Sequence, residues 1–364
     1  MDSRRALKLG VLAVIRALGG FAVARWLTSR QLRILCYHGG SVGDERFYNP
    51  KLFCTADHVL GRLDWLKRKS FLPMSLSDAV QGLKQGGFPG KRPVVITVDD
   101  GWYSSKAAIL APCLENGFPV TLYVATQVVE RGIPVLDVSV NYMLWRLGRR
   151  QVEVLPGLTP LAAGLYDLAD SDIRRQVYDT VIGWLRGLPP RTDVVSAALN
   201  EFARVIGLGA EGLDLQSRRF SYLDAGELRH LADRGCAIEL HGHEHRYPLG
   251  RADLLRDDML ACRAFLLASG LPEASHYCFP SGEFDDLAPA VFEAIGVVSG
   301  TTCLPGLIDP SRSVSLAYLP RFLDGGSISS LEFEAEMSGV LQAARALVRG
   351  LRRPPQAAAV AVKL

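Results

Sequence analysis

The sequence holds no Cys-x-x-Cys pair, no strong charge excess, no internal repeat and no unbroken apolar run of the roughly 18 residues that carry one helix across a bilayer. Each absence removes a class. Without Cys-x-x-Cys spacing, neither a zinc ribbon nor a thioredoxin-type site has support. Lys+Arg 41 against Asp+Glu 38 gives a formal net charge of +3, with the signs interspersed, so nucleic acid is not an expected partner. The cysteines, at 36, 54, 113, 236, 262, 278 and 303, are odd in number, and several sit in strand-like apolar runs. Buried free thiols are therefore expected rather than a disulfide framework. That favours a cytoplasmic or membrane-associated chain, with export as the alternative. Histidine is scarce, seven in 364 residues.

The hydrophobic content of 48% and charged content of 22% are those of a globular chain, with room for one large domain or two ordinary ones. Residues 1–30 begin with Arg4, Arg5 and Lys8 and continue into LGVLAVIRALGGFAVARWL, interrupted by Arg16 and Arg25. A helical wheel gives this stretch no clean polar face. The expectation is a helical segment that packs on the domain or makes peripheral membrane contact, with a cleaved signal as the alternative.

From Leu32 the chain alternates strand-like and helix-like stretches. LRILCY (32–37), VVITV (94–98) and VTLYVAT (120–126) read as buried strands, and Thr55 caps a helix with Leu60, Leu63 and Leu66 on one face. Strand–helix–strand at this spacing predicts parallel β/α units. Residues 133–220 break the rhythm: several helical patterns and no convincing strand predict a helical insertion. The rhythm resumes at about Tyr222 with AIEL, HYCF, VVSGT and LAYLPRF. A last helix, Ser330 to about Arg349, and a basic tail complete the division 1–30, 31–330 and 331–364.

Two segments carry chemistry. Thr97-Val98-Asp99-Asp100-Gly101-Trp102 places two carboxylates at the end of an apolar strand, the side where parallel sheets build ligand sites. An ordinary Asp-Gly turn reads the same way. His241-Gly242-His243-Glu244-His245 gathers three of the seven histidines just past the strand AIEL. In an extended strand His241 and His245 would stand roughly 13 Å apart, so shared metal binding requires a loop that curls past the strand end. A solvated histidine-rich loop is the competing reading. Together the segments offer a carboxylate and two imidazoles to a divalent cation, zinc first, and leave the other carboxylate free as a base. The zinc-protease spacing His-Glu-x-x-His is absent.

With these motifs, over about residues 32–330, the sequence resembles a polysaccharide deacetylase of the carbohydrate esterase family 4 type, the group sharing the NodB homology domain. The first motif, Thr-Phe-Asp-Asp-Gly, is matched with Val98 in place of Phe. The second, His-Ser/Thr and a second His four residues on, is matched by His241 and His245 with Gly242 in the hydroxyl position. The third, Arg-x-Pro-aromatic-Gly, survives as Cys278-Phe279-Pro280-Ser281-Gly282 and loses its arginine and aromatic. The late Leu-x-His motif is missing; no histidine follows His276.

The resemblance implies a distorted (β/α) barrel, usually seven-stranded, with the helical insertion beside its site. It implies metal-dependent removal of N-acetyl groups from an N-acetylated glycan, with Asp100, His241 and His245 on the metal and Asp99 as base. Gly101, Trp102, Pro280 and Gly282 fall at substrate or oxyanion positions. Arg321 is the candidate to brace Asp99 in place of the lost arginine. His38, in a Tyr-His pair like that of members with permuted motifs, is the candidate acid. The competing readings are a non-catalytic carbohydrate-binding or scaffold protein on an eroded fold, and a two-carboxylate glycosidase that needs no metal.

Overall fold

Seven apolar runs become parallel strands: β1 Arg33–Tyr37, β2 Pro93–Val98, β3 Val120–Val124, β4 Ala237–Leu240, β5 His276–Cys278, β6 Ser299–Thr301 and β7 Phe322–Leu323. The structure, a computed structural model, describes residues 3–148, 150–209 and 212–351; the basic tail expected from about Arg349 lies outside them from residue 352 on. The sheet order is β6-β5-β4-β3-β2-β1-β7, and a short strand Leu72–Pro73 also pairs with the start of β2. Leu319 bonds to β6, through Leu319 N–H to Gly300 O at 2.8 Å and Thr302 N–H to Leu319 O at 2.9 Å. Four residues on, Leu323 pairs with Cys36 of β1. One segment thus joins both sheet edges and draws the sheet into a distorted (β/α) barrel.

Side chains alternate across a strand. Ile34, Val95, Tyr123 and Cys278 meet Leu319 inside the curve, closed below by the helix Leu76–Lys84. Leu35, Ile96, Leu122, Leu240 and Tyr277 face the surrounding helices. Both faces are buried, which is why these strands read as continuous apolar runs. On the helix Ala56–Arg68, Thr55 caps as expected, but the buried stripe is Val59, Leu63 and Leu66, and Leu60 is exposed.

The block 133–220 contains helices Leu136–Leu147, Ser171–Gly187 and Thr192–Val205 around their own apolar cluster. It also contains what its sequence did not lead us to expect, an antiparallel hairpin, Gln151–Val154 with Gly164–Asp167. Four residues per strand are too few for a period-2 pattern to stand out. The hairpin stands apart from the barrel sheet. Trp102 and Phe53 belong to the cluster of this block, so it packs against the end of the barrel where β2 stops.

Two helices at the N-terminus, Ser3–Ala17 and Gly20–Leu27, meet at a bend of 78° at Gly19, whose φ is 79°. They pack through Leu12 and Phe21 on Ala335 of the helix Ser330–Ser338. The charges of the first helix do gather on one side, contrary to the wheel reading: Arg5 and Lys8 reach Glu332, and Arg16 reaches Glu334. Among the described residues no single helix is long and apolar enough to cross a membrane. The expected last helix is two, Ser330–Ser338 and Val340–Leu351, parted at Gly339 with φ 90°.

Candidate active site

Strand parity sets the site. Val95 and Thr97 point into the barrel, so Asp99, two further, does too; the same count carries Ile34 through Cys36 to His38, and Glu239 to His241. These side chains meet at the C-terminal mouth.

Asp99 is 1% exposed and Arg321 is 0% exposed. Arg321 donates from Nη1 to Asp99 Oδ1 at 2.7 Å and from Nη2 to Oδ2 at 2.8 Å. Its other donors go to Thr97 Oγ1 at 2.9 Å, Thr302 O at 3.0 Å and Cys278 Sγ at 3.0 Å. The thiols of Cys36 and Cys278 each lie 3.4 Å from Asp99 Oδ2. Burial works against a charge on Asp99, yet the Arg321 guanidinium holds its carboxyl far below the usual carboxylate range. Oδ1 has Arg321 as its one hydrogen-bond partner among the described residues. His38 Nε2 stands 3.9 Å from Oδ2, and its buried Nδ1 has no partner among the described residues.

Asp100 would point outward if the strand continued. Instead Asp100 and Gly101 are left-handed, with φ of 72° and 77°, a conformation aspartate tolerates at on the order of 1 kcal/mol. The turn brings Asp100 Oδ1 within 3.0 Å of His241 Nε2 and 3.1 Å of His245 Nε2. The histidine loop does curl: Gly242 and His245 have φ of 79° and 56°, and the two imidazole centroids are 4.8 Å apart. His243 lies outside the cluster, with Nδ1 on Thr126 Oγ1 at 2.9 Å.

Three overlapping groups have the donor spacing for a cation: Asp100 with His241 and His245; Cys36 with His38 and Asp99; and Asp99 with His241 and Cys278. The two that contain Asp99 set the cation beside the Arg321 guanidinium, and burial pushes the Cys36 thiol well up, away from the thiolate that binds metal. The first has neither defect. His241 Nδ1 donates to Cys278 O at 2.9 Å, which leaves an Nε2 lone pair aimed at a carboxylate oxygen. That contact is repulsive unless a proton or a cation lies between. Despite burial, the neighbouring Cys278 and Asp100 raise the His241 pKa well above its ordinary value, while His245 and His241 hold Asp100 well below its own. The site is built to hold positive charge, and a divalent ion fits it.

The third-motif residues sit at the edge of this arrangement. Pro280–Gly282 is a tight turn with Ser281 at φ 56°. Pro280 borders Gly242, lying 3.8 Å from where a Cβ there would be. No hydrogen bond joins Pro280 or Gly282 to either aspartate among the described residues. The Trp102 ring is buried, stacked on Phe53 at 5.4 Å and tilted to His38 at 6.3 Å. It serves the core more than a sugar-lined cleft, while its backbone N–H donates to no protein group among the described residues.

The sequence reading missed Asp258, on the helix Ala252–Ala268. It accepts the backbone N–H of His243 at 3.0 Å and of Glu244 at 2.8 Å. A Cβ at Gly242 would come within 2.6 Å of Asp258 Oδ2. The glycine and the carboxylate therefore go together: a half-buried acid from the next helix ties the loop where the family places a hydroxyl. No local motif could reveal a partner so far along the chain. Cys36 and Cys278 could have been found by parity alone.

No family model and no curated protein matches this sequence. Solved structures do match its shape. The chain is similar to the Streptococcus pyogenes deacetylase PplD in complex with acetate, at a TM-score of 0.55 and 15% identity over 85% of this chain and 99% of that one. IcaB from Ammonifex degensii superposes at 0.53 with 14% identity, covering 85% of this chain and 97% of its own. BC0361, a polysaccharide deacetylase from Bacillus cereus, does so at 0.51 with 12% identity, covering 85% and 69%. The fold is that of the polysaccharide deacetylases.

Proposed function

We propose that this chain, with its polysaccharide-deacetylase fold, is a metal-dependent hydrolase that removes N-acetyl groups from an N-acetylated polysaccharide or amino-sugar glycan. One observation carries the reading: neighbouring aspartates are driven apart, one gripped by a guanidinium and the other facing two imidazoles. A divalent ion held by Asp100, His241 and His245, zinc on this donor set, would supply Lewis acidity toward the acetyl carbonyl and a water.

The chain's own groups divide the remaining work. Asp99 Oδ1 accepts the proton of the attacking water; Arg321 fixes the carboxylate and keeps it ionised. The Trp102 N–H is the backbone donor for the oxygen that becomes negative. The C–N bond breaks with the amine taking a proton from His38 Nε2, and acetate leaves. A non-catalytic protein would have no use for so costly a buried charge cluster, and a glycosidase would leave both imidazoles idle.

The test is acetate release by the metal-loaded protein from chitin oligomers, linear poly-N-acetylglucosamine and peptidoglycan. Release from at least one, abolished in Asp99→Asn, is the expected result; metal retained with no release from any would favour a binding protein.

A further inference from the structure

The N-terminal helix pair is turned the opposite way from an ordinary surface helix. Leu7, Val11, Val14 and Leu18 recur at spacings of four, three and four, one face of a helix. That face is outward, with Leu18 83% exposed. Arg5, Lys8 and Arg16 point the other way, to Glu332 and Glu334. The second helix continues the apolar surface past the bend with Trp26, 68% exposed, and Leu27. A soluble surface helix puts its apolar stripe on the domain and its charges in water. Here the charges clamp the helix to the domain, and the apolar stripe is left for something else.

We propose that this face is a docking surface for an anionic phospholipid bilayer. Residues 3–30 hold six cations, Arg4, Arg5, Lys8, Arg16, Arg25 and Arg30, and no anion; the next acidic residue along the chain is Asp44. The clamp sets two carboxylates, Glu332 and Glu334, against four of these cations, Arg5, Lys8, Arg16 and Arg25, so positive charge is in excess along the side of the helices behind the apolar stripe. An exposed apolar strip on a segment with excess positive charge, with a tryptophan at its edge, is the chemistry of a helix lying in a headgroup layer. Neither helix alone is long and apolar enough to cross a bilayer, and the pair, which together has the length and composition, is bent by 78°. Another protein would have to match both the strip and the cations; a bilayer does so without shape.

The full chain is tested by co-sedimentation with phosphatidylcholine vesicles, with and without phosphatidylglycerol. The expected result is pelleting with the mixed vesicles, weakened by salt, and reduced about tenfold or more in Leu18→Glu/Trp26→Glu at unchanged Tm. Pelleting that the double substitution leaves unchanged overturns the proposal. So does no pelleting, or equal pelleting with phosphatidylcholine alone. Lipid-free self-association that the double substitution abolishes would make the face an interface between copies. Acrylamide quenching, compared with Trp26→Phe, checks a further occupant: Trp26 shielded before lipid is added would mean that residues 352–364 cover the strip.

Discussion

The Nη2 of Arg321 lies 3.0 Å from the sulfur of Cys278. Cys278 occupies the position where the deacetylase motif carries its arginine, so a guanidinium from the residue just before β7 fills the space beside a thiol on β5. The charge that holds Asp99 has moved across the barrel mouth without leaving it.

Removing that charge strands a fully buried carboxylate. Arg321→Ala is expected to cost about 3–5 kcal/mol in stability and to remove acetate release. Arg321→Lys keeps the charge but not the two-pronged grip, and should keep most of the stability and little of the turnover. Adding Cys278→Arg to Arg321→Ala should restore part of both. Thermal unfolding and acetate assays read the series; a double variant no better than Arg321→Ala would mean that the two positions do not serve the same carboxylate.

Metal content separates the three clustered histidines. His241→Ala and His245→Ala each remove a donor beside Asp100 and should lose the ion. His243→Ala removes a ring bonded to Thr126 and should keep it. Elemental analysis of the three purified variants is the measurement; equal loss in all three would overturn the donor set.

Asp258 holds the loop and not the ion. Asp258→Ala should fold and weaken metal affinity by about 10–100-fold, the usual effect of losing an outer partner. Gly242→Ser restores the residue of the family motif, yet it should weaken affinity too. Its Cβ would meet Asp258 Oδ2 at 2.6 Å, and the left-handed backbone there disfavours any side chain. Titration with a competing chelator reads both; a Gly242→Ser protein that binds more tightly would show that the hydroxyl and Asp258 do not exclude one another.

What the sequence could carry, it carried through local rules. Apolar runs read as strands because both faces of β1–β5 are buried, and parity then sent Asp99, His38 and His241 to one mouth. Arg321 was readable only as a candidate, since nothing local says that β7 closes beside β1. Asp258 was invisible because its role depends on how a helix packs over a loop. The hairpin at 151–167 was lost for want of length, and the break at Gly339 for lack of a proline or a turn cluster around a lone glycine. Periodicity reaches along an element; closure of the barrel, which sets most of the contacts at Asp99, is a long-range fact.

Glu239 should make stability depend on pH. It sits inside β4 at the lower end of the barrel, accepting the N–H of Ser275 at 2.7 Å and of His276 at 2.8 Å. Burial raises its pKa from 4.5 to about 7 against the pull of those bonds and of Arg263. A raised acid binds its proton more tightly folded than unfolded. Stability is therefore full below about 4.5 and falls as pH rises to about 7, by on the order of 2–3 kcal/mol. Glu239→Gln can still accept both bonds with its carbonyl oxygen and should erase that slope. Chemical denaturation at pH 5 and pH 8 compares the two; parallel curves would mean that Glu239 is ionised throughout.

His38 decides whether the proposed chemistry has its acid. An amine leaves poorly unless protonated, so a deacetylase needs a proton donor across the scissile bond from its base. His58 is engaged elsewhere, 3.2 Å from Asp324 in a buried cluster with Arg62 and Tyr37. His276 is tied at the lower end of the barrel between Ser77 and Ser299, where burial lowers its pKa to about 4. His230 lies in the helix Ala225–Asp233 on the outer layer. His38 alone, outside the metal cluster and the loop that carries it, stands at the mouth, and its ring is steadied by Trp102 rather than by a hydrogen bond. His38→Ala should fold and keep its metal, because it touches neither Asp100 nor the histidine loop. It should lose turnover by about a hundredfold or more, with the loss in kcat rather than in KM, as for removal of a group that acts in the transition state. His38→Gln, which fills the space but cannot donate an acidic proton, should be as slow. If either variant releases acetate at close to the wild-type rate, the proton reaches the amine by another route and His38 is a packing residue.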